Sequence, residues 1–248
     1  MISRATRFFL WTMIWSCLAG MICSYNALAQ ESSASSAIRW TDDFNLSECS
    51  FSTTGKNRFF ILEPGYQLTL AGMEDEDSVL LVITVLPETE MVDGVETRVV
   101  EERESVNGHI VEISRNFYAF CQTYQSVFYF GEDVDMYEDD ELIGHGGSWR
   151  AGIGENRPGL MMPGQVLLGS SYYQEIAPDE AMDRARIISD DATLGTPAGK
   201  FEHCLKTEET TPLEPDALEY KVYAPGIGLI KDGELMLVKS GMMVEGNK

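Results

Sequence analysis

Two-residue turn signals between short apolar runs constrain the fold of this chain most strongly. The dipeptides Asp93-Gly94, Asn107-Gly108 and Asp232-Gly233 each separate two apolar or alternating runs. Such dipeptides favour the positive φ angles of the tight turns that join neighbouring antiparallel strands. Several adjacent hairpins predict an antiparallel meander and not a parallel α/β sheet.

Alternation with a period of two places further strands along the chain. Tyr66, Leu68 and Leu70 alternate with polar residues, and residues 78–86 form an apolar run of the length of a strand buried on both faces. Strands are predicted over residues 66–70, 78–86, 95–102, 109–121, 126–130, 166–173, 184–189, 201–207, 218–224, 228–231 and 234–239.

Helical periodicity is scarce, which leaves an all-β fold. Residues 178–184 fit either a short helix or part of a strand. The Gly- and Pro-rich stretch 144–164 is the one long irregular segment, and we interpret it as a crossing loop because Leu160, Met161 and Met162 interrupt it. The prediction is one domain over residues 38–248. It is a single large curved antiparallel sheet that can close into a barrel, with at most one short helix.

The first 29 residues have the pattern of a secretory signal peptide. Arg4 and Arg7 precede an apolar stretch over residues 8–23, and Ala27-Leu28-Ala29 supplies small residues before a cleavage point. A retained N-terminal anchor is the first alternative, and a lipoprotein site at Cys17 or Cys23 is a weaker one, since Trp15 and Ile22 lie where that processing site has small residues. The polar lead, residues 30–37, is expected to be mobile. We therefore expect a periplasmic or secreted protein with no membrane span after signal cleavage.

Charge argues against a nucleic-acid partner. The 248 residues contain 18 Lys and Arg against 40 Asp and Glu, a formal net charge of −22. Phosphate backbones are bound by clustered Lys and Arg.

Three cysteines remain after the predicted signal, an odd number for an oxidising compartment. Cys121 shares a strand face with apolar neighbours. The alternation around Cys204 instead places it with Lys200 and Lys206 on the solvent-exposed face. Cys49 lies in a polar N-terminal segment, which a disulfide would attach to the rest of the fold. These patterns favour a Cys49–Cys121 disulfide, with Cys49–Cys204 as the rival pairing. By the same alternation, His203 is predicted to be a core histidine.

The acidic segment 131–141 is the strongest candidate for a metal site. It follows the apolar strand and holds seven carboxylates in eleven residues. Calcium binds several oxygen ligands from one flexible loop. The predicted ligands are Asp133, Asp135, Glu138 and Asp140, and the simpler interpretation is a solvated acidic hairpin. His145 is the histidine most exposed for ligation.

Aromatic residues cluster in three of the predicted strands, at residues 117–120, 128–130 and 172–173. Consecutive strand residues face opposite sides, so these clusters must occupy both faces of the sheet. If the sheet curls, one set can line an apolar ligand cavity. Packing of both sets in the core or against loops is the alternative.

Four sequence pieces, residues 57–65, 130–135, 210–215 and 223–229, resemble an uncharacterised group of secreted bacterial β-rich proteins. The resemblance extends from Phe44 to Ile230 and implies an exported β-rich domain with no established activity. The piece Tyr223-Ala-Pro-Gly-Ile-Gly-Leu229 is also similar to a hairpin of periplasmic proteins built on lipocalin-like or lipoprotein-carrier-like sheets.

The residues and the resemblance together predict an exported, non-enzymatic binding protein. Its ligand is either an apolar small molecule in a sheet cavity or a divalent cation, such as calcium, at the acidic segment. The alternatives are a secreted hydrolase that uses carboxylates and an envelope assembly or interaction protein. No catalytic or cofactor-binding residue is predicted: the sequence has no Gly-x-Ser-x-Gly motif, and its 40 acids make any single carboxylate pair uninformative.

Overall fold

A computed structural model describes residues 38–243 of the chain. The predicted signal peptide (residues 1–29) and polar lead (residues 30–37) lie outside the described residues. Within the described part, a short 3-10 turn over Leu46–Glu48 is the only helical element. No helix of residues 38–243 has the length and apolar character needed to cross a membrane.

Within residues 38–243, eighteen strands follow one another in chain order, and all pairs between these strands are antiparallel. They are β1 Phe51–Ser52, β2 Gly55–Lys56, β3 Ile61–Leu62, β4 Tyr66–Glu74, β5 Asp77–Val92, β6 Val95–Val106, β7 His109–Cys121, β8 Ser126–Glu138, β9 Glu141–Gly144, β10 Trp149–Arg150, β11 Arg157–Met162, β12 Ser171–Tyr173, β13 Glu175–Ile176, β14 Arg184–Thr196, β15 Gly199–Thr211, β16 Glu214–Ala224, β17 Gly228–Asp232 and β18 Leu235–Met242.

Two meanders make up the main sheet. Strands β4 to β8 form one and strands β14 to β18 form the other, and β18 pairs with β4 to join them. On the opposite side, β8 pairs with β11 and β11 with β13, while β12 pairs with β14. The predicted all-β class and the single large antiparallel sheet are confirmed.

The two ends of the main sheet meet at one residue. The end strands β12 and β13 are adjacent in the chain, with only Gln174 between them. The Gln174 N–H donates to Asp183 O at 2.7 Å, which holds this junction against β14. The sheet is therefore nearly closed into a barrel, and we call the junction at Gln174 the seam.

Two of the predicted turns have the expected geometry. Asp93-Gly94 and Asn107-Gly108 have positive φ at both residues, and each joins two long strands. The Asp232-Gly233 prediction was wrong by one residue, because Asp232 ends β17 as a buried residue and the turn begins at Gly233.

Two other local predictions were wrong: the stretch 144–164 contains strands β10 and β11, and only Ser171–Tyr173 of the predicted strand 166–173 is extended. Residues 178–180, for which helix and strand were left open, form a turn. The apolar run at Leu160–Met162 belongs to a strand that pairs with β8, which is why it is apolar.

The acidic segment is a strand and not a loop. Strand β8 continues to Glu138, and its acidic half pairs with β7. The register shifts between Asn116 and Tyr118, so that both Tyr129 and Glu132 are buried three residues apart. Beyond the bulge, Glu132 is in phase with the buried Val134 and out of phase with Asp133 and Asp135, so it faces the interior.

A disulfide joins Cys49 to Cys121, with the two Cα atoms 5.2 Å apart. It ties the N-terminal segment to β7, next to the pairing of Phe51 with Cys121. Phe51 packs edge-on against Phe128 and Phe130 at 6.1 and 5.5 Å. One of the aromatic clusters is thus covered by a chain segment.

The predicted positions of His203 and Cys204 were wrong. Cys204 is a free, fully buried thiol, whereas the His203 side chain is exposed and its Nδ1 donates a 2.6 Å hydrogen bond to Asp191 Oδ1. His203 has φ +55°, and the β14–β15 register shifts between Ala192 and Leu194. This irregularity reverses the side-chain alternation from which both positions were inferred.

Candidate functional site

A cavity opens into the interior of the sheet between the two meanders. Its volume is about 60 Å³, room for a few water molecules. One apolar wall consists of cross-strand pairs, Leu68 with Ile83 and Val85 with Val100. Met161 of β11 also lines the cavity.

Two chain segments, residues 57–62 and 225–229, cover the cavity, and we call them the cap. Within the first, the Asn57 side chain accepts hydrogen bonds from the N–H groups of Phe59 and Phe60 at 3.0 and 2.9 Å, an Asx-type turn. The Gly226 N–H donates to Arg58 O at 2.8 Å and so joins the two segments.

Aromatic rings surround the cavity on several sides. Phe60 of the cap meets Tyr118 edge-on at 5.5 Å, and Tyr66 and Tyr223 complete the set. The Tyr66 hydroxyl donates to Ile227 O at 2.8 Å. Burial raises the pKa of Tyr118 and of Tyr223 well above the usual value, so both phenols are neutral.

Three charged side chains line the same cavity: Glu102, Lys221 and Asp232. Glu102 lies in the same cross-strand row as Leu68 and Ile83. Burial raises the pKa of the Glu102 carboxyl to about 7, although Lys221 acts in the opposite direction. At neutral pH this carboxyl is poised between its neutral and charged forms.

Lys221 is the cation of a buried ion-pair network. Its Nζ lies 3.4 Å from Glu209 Oε2 and 3.5 Å from Asp232 Oδ1. Burial alone lowers the pKa of a lysine, but these two carboxylates raise that of Lys221 well above its usual value. The same attraction lowers the pKa of Glu209 against the effect of burial.

The network continues to the seam. Glu209 Oε1 accepts hydrogen bonds from Thr207 Oγ1 at 3.0 Å and from Gln174 Nε2 at 3.4 Å. The side chain that pairs with the cavity lysine therefore also holds the residue at which the sheet closes.

Two further buried carboxyls, Glu132 and Glu175, lie beside the seam and line no part of the cavity. Burial raises the pKa of Glu132 well above its usual value, and the nearby charge of Glu175 adds to the effect. Burial, followed by the charge of Asp183, raises the pKa of Glu175 to about 8. Paired carboxyls of this kind can do acid–base chemistry, but these are 1% and 2% exposed, which denies a substrate access.

The predicted metal ligands lie on or beside β8, and two of them, Asp133 and Asp135, are paired with arginines. Asp133 Oδ2 lies 2.6 Å from Arg150 Nη2, and Asp135 lies 3.3 Å from Arg115 Nη1 and 3.0 Å from His145 Nδ1.

The other two predicted ligands lie apart from that pair. Glu138 ends β8 as an exposed residue, and Asp140 lies in the following turn, 3.9 Å from His109. Among residues 38–243, no group of three or more His, Cys, Asp or Glu side chains is placed to hold a metal ion.

His145 and Ser148 form no nucleophilic pair among the described residues. His145 Nδ1 is within 2.9 Å of Val134 O as well as close to Asp135, and Ser148 Oγ accepts a hydrogen bond from the Val134 N–H at 2.8 Å. Both side chains thus stabilise the outer part of β8.

The sequence predicts some of the aromatic residues of the cavity but not its charged lining residues. Tyr118 belongs to a predicted aromatic cluster, and the structure places it at the cavity. Lys221 and Glu102 were missed, although a signal was present for Lys221. It lies two residues before Tyr223, and strand alternation gives those two residues the same face.

Comparisons with known proteins give little further information. No family model matches the chain, and no curated protein matches it. The crystal structure of a candidate lipoprotein from Parabacteroides distasonis ATCC 8503 aligns with 75% of this chain and all of its own, at 13% identity and a TM-score of 0.36. A TM-score this low supports no argument about this chain.

The location of the protein is constrained by its disulfide. Intramolecular disulfides form and persist in oxidising compartments, and the described part of the chain has the Cys49–Cys121 bond. The structure is therefore compatible with a location outside the cytoplasm.

Proposed function

We propose that the chain is an exported, non-enzymatic binding protein whose cavity takes one end of a small molecule that has a short apolar chain. The observation that carries this proposal is a cavity with aliphatic and aromatic walls beneath the cap. Ligand sites in proteins are concave, mostly apolar and supplied with a few polar groups that fix orientation. This cavity has that composition.

Cavity size limits what can enter. At about 60 Å³ the space is smaller than the roughly 150 Å³ cavity that accepts benzene in an engineered core. Only one end of a small ligand fits inside, and the rest of the ligand lies at the mouth, against the cap. Phe60 and Leu229 are both half-buried at this boundary and would contact that outer part.

Export is supported by the N-terminal pattern of residues 1–29 and by the disulfide. Determining the N-terminus of protein recovered from the producing cell tests this part of the proposal. We expect the chain to start at Gln30 and to be found outside the cytoplasm. Recovery of a chain that starts at Met1 would contradict it.

Binding is tested with 1-hexanol as the probe and the methyl group of Met161 as the reporter. In protein with 13C-labelled methionine methyls, 1-hexanol should shift the Met161 signal in a saturable way. Met73 is 55% exposed and does not line the cavity, so its signal is the internal control. Equal, unsaturable shifts at both methionines would contradict the proposal.

A matched pair of variants locates the binding. Leu229→Trp places a larger side chain at the mouth and should weaken hexanol binding at least about tenfold. Leu218→Trp makes the same change at an exposed position that does not line the cavity and should leave binding unchanged. If both variants bound 1-hexanol equally well, its binding site would lie outside this cavity, which would contradict the proposal.

A further inference from the structure

Acidic side chains outnumber basic ones around the cavity. Among the described residues, Lys221 is the one cation that lines it, and Glu209 and Asp232 hold that cation at 3.4 and 3.5 Å. Glu102 reaches the cavity from the other meander, in the row of Leu68 and Ile83. A cavity with one cation already held by two carboxylates, and with a third carboxyl added, favours positive charge over negative charge.

The aromatic walls favour the same sign. The faces of aromatic rings carry partial negative charge, and a cation within about 6 Å of a ring centroid is attracted to it. Phe60, Tyr66, Tyr118 and Tyr223 all line this cavity. Cation–π attraction is strongest where water is excluded, and Tyr118 and Tyr223 are 1% and 2% exposed.

We propose that the group that enters the cavity is a primary ammonium on a short apolar chain, held between the aromatic faces and the Glu102 carboxylate. This inference rests on the proposed function, since it names the chemistry of the ligand at the same cavity. An ammonium carries three N–H groups, of which at least one can donate to the Glu102 carboxylate, and it is small enough for the space. A carboxylate or phosphate at the same position would face Glu102 and Asp232 and be repelled.

Three probes with the same chain length test the proposal: hexylammonium, 1-hexanol and hexanoate. They are compared at pH 7.5 and matched ionic strength, again with the Met161 methyl as reporter. We expect hexylammonium to bind at least about tenfold more tightly than 1-hexanol, and hexanoate to bind most weakly. Hexanol binding equal to or tighter than that of hexylammonium would overturn this inference and leave the proposed function intact.

The absence of any saturable shift with all three probes would overturn the proposed function itself, so the two failures are distinguishable. Glu102→Gln keeps the size of the side chain and removes its charge, and it should abolish the preference for hexylammonium while 1-hexanol binding persists. Glu104→Gln is the matched control on the same strand, because Glu104 does not line the cavity, and it should keep the preference. An unchanged preference in Glu102→Gln would contradict the role of that carboxylate.

Discussion

Lys221 and Asp232 lie directly opposite each other on β16 and β17, with Nζ and Oδ1 3.5 Å apart in the interior of the sheet. Both side chains are less than a tenth exposed. Removing charges from water has a large free-energy cost that only good pairing offsets. Glu209 shares the same lysine, so the three residues stabilise the fold as a unit.

Lys221→Met should destabilise the protein strongly, by about 3–5 kcal/mol, because it leaves Glu209 and Asp232 buried without their cation. Urea unfolding at pH 7 measures the change. Lys206→Met is the control, because Lys206 is only half-buried and stacks on Tyr220, so its loss should change the free energy of unfolding by less than about 1 kcal/mol. Equal destabilisation by the two variants would contradict the importance of the buried network.

Stability should fall as the pH rises from about 4.5 to about 8. Burial raises the pKa of Glu102 to about 7 and, together with Asp183, that of Glu175 to about 8, against an ordinary value of 4.5. Within this window the unfolded chain has lost protons that the folded protein still holds, so increasing pH favours unfolding. Below pH 4.5 both states are protonated and these groups contribute no slope.

The pH effect can be assigned by substitution. Glu175→Gln mimics the protonated carboxyl and should flatten the decline in the free energy of unfolding between pH 4.5 and 8. Glu88→Gln removes an exposed carboxyl and should leave the decline nearly unchanged. Urea titrations at several pH values and constant ionic strength compare them, and parallel pH profiles for the two variants would reject the assignment to Glu175.

Removing the disulfide should cost roughly 4 kcal/mol of stability, because Cys49 and Cys121 close a loop over a sequence separation of 72. The Cys49→Ser/Cys121→Ser variant, compared by urea unfolding with the unmutated protein, measures this. Cys204→Ala controls for the loss of a buried cysteine that forms no disulfide. A loss no larger than that of the control would show that the disulfide contributes little.

Gly159→Ala should damage the seam. A Cβ atom at this position would lie 2.1 Å from Gln174 O, a backbone atom that cannot move aside without shifting β13. We expect a loss of at least about 1–3 kcal/mol. Gly144→Ala, where nothing lies within 4 Å of the added atom, is the matched control in a thermal unfolding experiment and should stay near the unmutated protein.

The calcium site at Asp133, Asp135, Glu138 and Asp140 stays a prediction. A calcium ion there would have to compete with Arg150 for Asp133 and with Arg115 and His145 for Asp135. Binding to the folded state alone would add about 2.7 kcal/mol of stability at a hundredfold excess over Kd. Millimolar calcium should therefore raise the melting temperature relative to sodium chloride of matched ionic strength.

Two comparisons make the calcium experiment specific. Asp133→Asn/Asp135→Asn should abolish the effect, and magnesium should have a smaller one because it gives up water reluctantly. Equal melting temperatures with and without calcium in the unmutated protein would leave a charged hairpin as the explanation of the acidic segment.

The hairpins could be predicted from the sequence because their signals are local. Asn107-Gly108 specifies its own backbone angles, and the strand that follows has the predicted bounds, His109–Cys121. The bulges could not be predicted, because register shifts depend on the partner strand. One such shift lets Tyr129 and Glu132 both be buried although they are three residues apart, and another exposes His203 and buries Cys204.

The charged part of the cavity depends on contacts between distant parts of the chain. Glu102 and Lys221 are brought to one cavity only when β18 pairs with β4 and the two meanders face each other. Alternation indicates which face a residue occupies but not which residue lies across the interior from it. The sequence therefore predicted aromatic residues at a cavity without predicting the sign of its charge.

The seam at Gln174 limits how another molecule can attach to this protein. Exposed strand edges recruit partners by adding a strand through backbone hydrogen bonds, and they also start aggregation. Here the end strands of the main sheet are only three and two residues long and are consecutive in the chain. A partner therefore has almost no free backbone to use at this junction, and recognition there must depend on side chains.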